Sequence, residues 1–242
     1  MESSYIPGRK PVLELLDLSP ERVDLVLIRK PVRGELGQIV ENCRNSGIRF
    51  RLVSDRELDR LARGHQGVMA RISAVSNILP EDIFSRTKSS PFPVVLALDQ
   101  VQDAGNLGTL ARTMVCLGGM GIITPRDRSA HPGTGAMKSS AGTLVRANMS
   151  QVTNMARTLD RARDEGLWVY GAVLQQGDDV FRTEFNFPAV LVLGGEEKGI
   201  RPNVLKRCHQ KVQIPMPGGF DSLNVAQAGA IILGQMLRKL HD

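Results

Sequence analysis

Apolar side chains recur along this chain in two rhythms, and the rhythms alternate. Over residues 6–72, 3.6-residue periodicity predicts helices at 10–16, 35–45 and 55–61, and short β-branched runs predict strands at 24–28, 49–53 and 67–72. Ser54 and Asp55 are helix-starting types, and Gly47 suits a helix stop. Residues 76–93, SNILPEDIFSRTKSSPFP, hold three prolines and a Lys-Ser-Ser cluster and read as a linker. Beyond it the pattern predicts strands at 94–98, 121–124, 168–173, 189–193 and 211–214. Helices are predicted at 109–117, 135–140, 154–165 and 202–209, with a long amphipathic one at 223–240. Continuous apolar strands alternating with helices imply an α/β fold with a parallel sheet covered on both faces. The chain thus divides into a small α/β domain (1–75), a linker (76–93) and a larger domain (94–242).

Composition narrows the function. With 42% hydrophobic and 23% charged residues over 242 positions, the chain is ordinary globular protein. No apolar run approaches the roughly 20 residues that span a bilayer. Nor does the start show a basic region followed by an apolar core, so a cytoplasmic protein is expected. The three cysteines lie far apart without a Cys-x-x-Cys pair, and each is expected to be a small buried or semi-buried residue. The four histidines lack metal-ligand spacing, so metal chemistry is disfavoured. A net charge of +6 suits a polyanion, but the excess is spread along the chain. The densest cationic run, Arg44, Arg49, Arg51, Arg56, Arg60 and Arg63, is diluted by Asp55, Glu57 and Asp59 and by itself reads as a solvated face. Few aromatic residues leave phosphate and shape recognition, rather than base stacking, as the mode of any nucleic-acid contact.

Ligands of open parallel sheets bind beyond the carboxyl ends of the strands. Three polar, glycine-rich loops occupy such places, at 99–108, 194–199 and 215–224. None carries Gly-x-Gly-x-x-Gly or a P-loop, which removes the dinucleotide and nucleoside-triphosphate signatures. Gly194-Gly195 would let backbone approach a planar ligand closely, although a Gly-Gly pair alone is often only a turn.

Taken together, Asn106-Leu-Gly-x-x-x-Arg112, LVLGGEEKGIRP (191–202) and IPMPGGFDSLNVAQA (214–228) resemble the three motifs of the SpoU (TrmH-like) RNA 2′-O-ribose methyltransferases. The likeness covers residues 94–240. The first block, ending in His65-Gln-Gly-Val, resembles the small substrate-binding domain of the ribosomal branch, which modifies a guanosine of 23S ribosomal RNA. The resemblance implies a C-terminal deep trefoil knot, a homodimer, an RNA substrate and S-adenosylmethionine as cofactor. It places Gly194, Ile214, Met216 and Leu223 around the cofactor. Asn106, Arg112, Glu196, Ser222 and Asn224 become the catalytic set. Because arginine does not deprotonate in proteins, Arg112 is expected to position phosphate and stabilise alkoxide charge, projecting from a helix start.

Simpler roles stand beside these. Asn106, Ser222 and Asn224 are helix-cap types, Glu196 could be a solvated loop acid, and Ile214 and Leu223 suit core packing. The chain departs from the family at Val225-Ala226-Gln227, where a serine usually follows the valine; losing that hydroxyl would weaken a helix-start hydrogen bond. The stretch from Pro217 before Asp221 looks inserted and would reshape the ligand loop. A transfer-RNA substrate, or a non-catalytic RNA-binding or ribosome-assembly protein of the same fold, are the alternatives.

Overall fold

The computed structural model describes residues 4–18, 20–72, 77–218 and 222–242. The first block contains β1 (Ser4–Pro7), α1 (Arg9–Leu18), β2 (Val23–Arg29), α2 (Glu35–Asn45), β3 (Phe50–Val53), α3 (Asp55–Asp59) and β4 (Val68–Ile72). Its sheet runs β1-β4-β2-β3, with β4 antiparallel to both neighbours and β2 parallel to β3. Helix α2 ends as its sequence implies, with Gly47 at φ +66° donating its N–H to the Arg44 carbonyl.

A second series follows: α4 (Pro80–Thr87), β5 (Phe92–Asp99), α5 (Ala104–Leu117), β6 (Gly119–Pro125), α6 (Thr134–Ser139), β7 (Met149–Val152), α7 (Met155–Asp164) and β8 (Trp168–Ala172). It ends with β9 (Asp178–Asp179), β10 (Ala189–Gly194), α8 (Pro202–Leu205), β11 (Gln210–Gln213) and α9 (Val225–His241). The seven strands are ordered β7-β6-β5-β10-β8-β11-β9, and every neighbouring pair is parallel. The expected parallel α/β sheet is present.

Period-two alternation splits the central strands between two buried layers. Val94, Leu96 and Leu98 of β5 and Leu191 and Leu193 of β10 pack with Leu110 of α5 and Leu233 of α9. Val95, Ala97, Val190 and Val192 face the other way, against Ile83, Phe84 and Leu159. The first layer continues into the small domain through Ile6 and Val12, and β1 contacts α6. One glycine is required where α5 and α6 cross, because a Cβ on Gly108 would stand 2.0 Å from Ser139 Oγ and 2.2 Å from the Ala136 carbonyl.

The stretch expected to be a linker contains α4, although residue 76 lies outside the described residues. Pro80 sits at the start of that helix, where its missing N–H costs nothing. Ile83, Phe84 and Thr87 point inward, and Pro91 and Pro93 flank the start of β5. Three strands also escape the periodicity. β1 and β7 are four residues each, and β9 is two aspartates. Two helices end earlier than expected, α3 at Asp59 and α8 at Leu205. Of the cysteines, Cys43 is buried and Cys208 partly so, but Cys116 is exposed on α5. Burial pushes Cys43 up to about 11 and Cys208 up to about 12, so neither offers a thiolate at neutral pH.

Phe84 is fully packed under the sheet. Phe84→Ala is therefore expected to cost about 3–5 kcal/mol in urea unfolding; a change under about 0.5 kcal/mol would mean that α4 is a passive connection.

Candidate active site

The adjacent pairing of β5 and β10 sets Gly194 opposite Asp99, so the loops leaving both strands emerge side by side. The Gly195 N–H donates to the Asp99 carbonyl at 3.0 Å, and the Gly199 N–H turns back to the Gly195 carbonyl at 2.9 Å. The two glycines are demanded by the chain itself. A Cβ on Gly194 would lie 2.1 Å from the Gly199 carbonyl carbon, and one on Gly195 2.4 Å from the Gln100 carbonyl oxygen. Sequence reasoning expected the pair to make room for a ligand; Gly194 first makes room for the closure of its own loop, and Gly195 for the neighbouring Gln100 backbone.

Helix α5 begins earlier than its apolar pattern implies. Asp103 is its N-cap, accepting the Asn106 N–H at 2.7 Å. Asn106 is consequently not the cap, and its side chain is free for longer contacts while only 8% exposed. Its Nδ2 donates to Glu196 Oε1 at 2.6 Å. Asn224 Nδ2 donates to Asn106 Oδ1 at 3.0 Å and to Glu196 Oε1 at 3.3 Å. The first turn of α5, the Gly195–Gly199 turn and the N-cap of α9 thus meet in one hydrogen-bonded cluster.

Asn224 also caps α9, since its Oδ1 accepts the Ala226 N–H at 2.9 Å and the Gln227 N–H at 3.4 Å. The hydroxyl absent at Ala226 is therefore not needed for this cap; only the backbone of that residue takes part. The inserted-looking stretch after Pro217 lies partly outside the described residues.

Two clefts share the Gly195–Gly199 turn as a wall. One, of about 380 Å³, is lined by Gly194, Ile214, Met216 and Leu223, with Leu174 and Ile232 deepening its apolar surface. All four residues assigned to the cofactor meet there. Ser222 lines this cleft too, together with Glu196 of the asparagine–glutamate cluster. The other cleft, of about 710 Å³, is polar and bounded by Gln100, Gln102, Asp103, Asn106, Arg128 and Glu196. Gln100 and Arg128 hold left-handed backbone there, at φ +65° and +53°.

Arg112 is not brought into either cleft. The helix starts at Ala104, so Arg112 falls beyond its second turn rather than at its start. Six residues at roughly 100° each rotate it away from Asn106, onto the exposed face that carries Thr109 and Cys116.

One functional-looking residue pair had no role in the sequence reading. The Asp99 carboxylate, 0% exposed, accepts from the Arg201 N–H at 2.8 Å, from Nε at 2.9 Å and from Nη2 at 2.6 Å. The available signal was an aspartate closing an uninterrupted apolar strand, where burial demands a cationic partner. Among the described residues no group of His, Cys, Asp or Glu could hold a metal ion, and no helix is long and apolar enough to cross a membrane.

The double role of Asn224 separates two variants. Asn224→Ala is expected to lower stability by about 0.5–2 kcal/mol through loss of the cap, whereas Asn224→Ser loses the same amide nitrogen but keeps a neutral capping oxygen and stays closer to wild type in thermal denaturation. Equal losses would place the stabilisation outside the cap.

Comparison with known proteins agrees with this geometry. The chain matches the SpoU rRNA Methylase family over residues 93–234 and the RNA 2′-O ribose methyltransferase substrate-binding family over residues 5–77. It is 32% identical to the 23S rRNA (guanosine-2′-O-)-methyltransferase RlmB of Haemophilus influenzae, covering 98% of each chain. An uncharacterized tRNA/rRNA methyltransferase of Mycobacterium avium is also 32% identical, over 98% of this chain and 78% of the relative. Among solved structures, an AdoMet-bound rRNA methyltransferase from Sinorhizobium meliloti superposes with a TM-score of 0.80 at 23% identity, over 98% of this chain and 88% of that one. Motifs, sheet order and both matched domains agree: the chain belongs to the SpoU rRNA methylase family.

Proposed function

We propose that this protein transfers a methyl group from S-adenosylmethionine to the ribose 2′-hydroxyl of a guanosine in 23S ribosomal RNA. The observation that carries this reading is the Asn106–Glu196–Asn224 cluster, built from two helix starts and a turn beside an apolar and a polar cleft. The apolar cleft fits an adenosyl group in volume and in chemistry, with hydrophobic walls and glycine backbone. When bound, the cofactor supplies a methyl group activated by its sulfonium charge.

The protein's own residues then have distinct tasks. Ile214, Met216 and Leu223 form apolar walls, and Ser222 closes the same cleft. Glu196, steadied by two amide donors, offers a carboxylate to a ribose hydroxyl in the polar cleft. Asn106 and Asn224 fix its orientation, so the hydroxyl is aligned before transfer rather than during it. Guanosine and 23S RNA are supported by the name of the Haemophilus relative. The broader name of the Mycobacterium relative favours transfer RNA as the second reading. Either RNA substrate puts the protein in the cytoplasm.

The outward position of Arg112 supports a homodimer in this reading. Thr109, Arg112 and Cys116 share an exposed face of α5, which packs against α9 with its exposed Ala230, Ile231 and Gly234. A second copy on this face brings Arg112 to a neighbouring site, where it holds RNA phosphate and stabilises alkoxide charge. We also propose that the C-terminal segment is knotted: β11 lies beyond β8, yet α9 returns to α5 past the Gly195–Gly199 turn.

Incubation with labelled cofactor and a mixture of unmodified 23S and transfer-RNA transcripts is expected to place label on ribose of the 23S RNA. Arg112→Ala is expected to lower kcat about 100-fold with cofactor affinity retained. Label confined to transfer RNA would favour the second reading, and no label on either RNA would contradict methyl transfer. Sedimentation is expected to give a dimer; a monomer would remove the support for Arg112 acting on a neighbouring site.

A further inference from the structure

Resting on the methyl-transfer reading, we infer that Asp99 and Arg201 are a positioning pair for the reaction, holding the turn that carries Glu196. The turn leaves β10 at Gly194 and enters α8 through Arg201, its N-cap. Asp99 grips both ends. Its carbonyl accepts the Gly195 N–H at 3.0 Å, and its carboxylate accepts the Arg201 N–H and the Arg201 guanidinium. Between these grips lie Glu196 and the common wall of both clefts.

A carboxylate buried this completely is a costly way to gain stability, because desolvation offsets much of the ion-pair attraction. What the pair adds over an apolar contact is direction. The planar guanidinium meets the two oxygens as a fork, and the adjacent backbone N–H takes a third contact, which fixes the exit angle of the turn. Neither residue lines a cleft, so neither touches substrate or cofactor. They act through Glu196, whose 2.6 Å contact with Asn106 joins the turn to the first turn of α5.

Three variants test this: Arg201→Lys, Asp99→Asn and the double substitution. Melting temperature, S-adenosylmethionine affinity by calorimetry, and kcat and KM on 23S transcript are measured for each. Lysine keeps the charge but cannot form the fork. Arg201→Lys is expected to stay folded at the assay temperature while kcat falls about 10- to 100-fold, KM for RNA holds within about 2-fold and cofactor affinity weakens. The double variant is expected to lose no more than the worse single one, as for residues acting through each other. Wild-type kcat and cofactor affinity in Arg201→Lys, or losses that multiply in the double variant, would overturn the inference. Unfolding of Arg201→Lys would also overturn it, since its 42% exposed side chain would then be serving the fold rather than the turn. Absence of transfer by the wild-type protein would contradict the methyl-transfer reading instead, and cofactor affinity of the variants would still judge the pair.

Discussion

Side-by-side parallel pairing of β5 and β10, in register from Ala189 against Val94 to Gly194 against Asp99, is what the remaining architecture depends on. Both strands are apolar on both faces, so they must lie in the middle of the sheet with a helical layer above and below. Polar chemistry is then excluded from their length and confined to their carboxyl ends. Two residues that are 95 positions apart in the chain, Asp99 and Gly194, are forced together by this pairing, and every later contact in the site follows from it.

The site divides its work by polarity. On one side of the Gly195–Gly199 turn, Ile214, Leu223 and their neighbours offer shape and dryness. On the other, Gln100, Asp103 and Arg128 offer hydrogen bonds. Asn106, Glu196 and Asn224 are linked where both clefts meet the turn. Two amides are well suited to this place: each donates and accepts at once, so Asn224 can cap α9 with its oxygen and steady Glu196 with its nitrogen. A helix start and the Glu196 carboxylate are thereby tied to one side chain, which couples local folding to the geometry of the cluster.

Much of this was legible in the residues, and the exceptions have physical causes. The long helices and central strands announce themselves because a single rule, burial of one stripe or of both faces, shapes their composition. The start of α5 did not, because Gln100, Gln102, Asp103, Gly105 and Asn106 look like loop until Asp103 turns out to cap the first turn. That shift moved Arg112 away from the expected site. The motif residues around the apolar cleft were found by likeness to a family, since Ile214 and Leu223 are indistinguishable from core by pattern. Asp99 shows itself only as an acid closing an apolar strand, and nothing local points to Arg201, 102 positions on; their partnership exists only once the sheet has assembled. α4 was hidden by its prolines, which mark a helix start and a strand start as readily as they mark a linker.

The most direct test of the site as a ribose methyltransferase is a map of 2′-O-methylated nucleotides in total RNA from cells with and without the gene. Loss of a single 2′-O-methylguanosine from 23S RNA on deletion, restored by the wild-type gene and not by Glu196→Ala, is the result expected. An unchanged methylation map in both ribosomal and transfer RNA would contradict it.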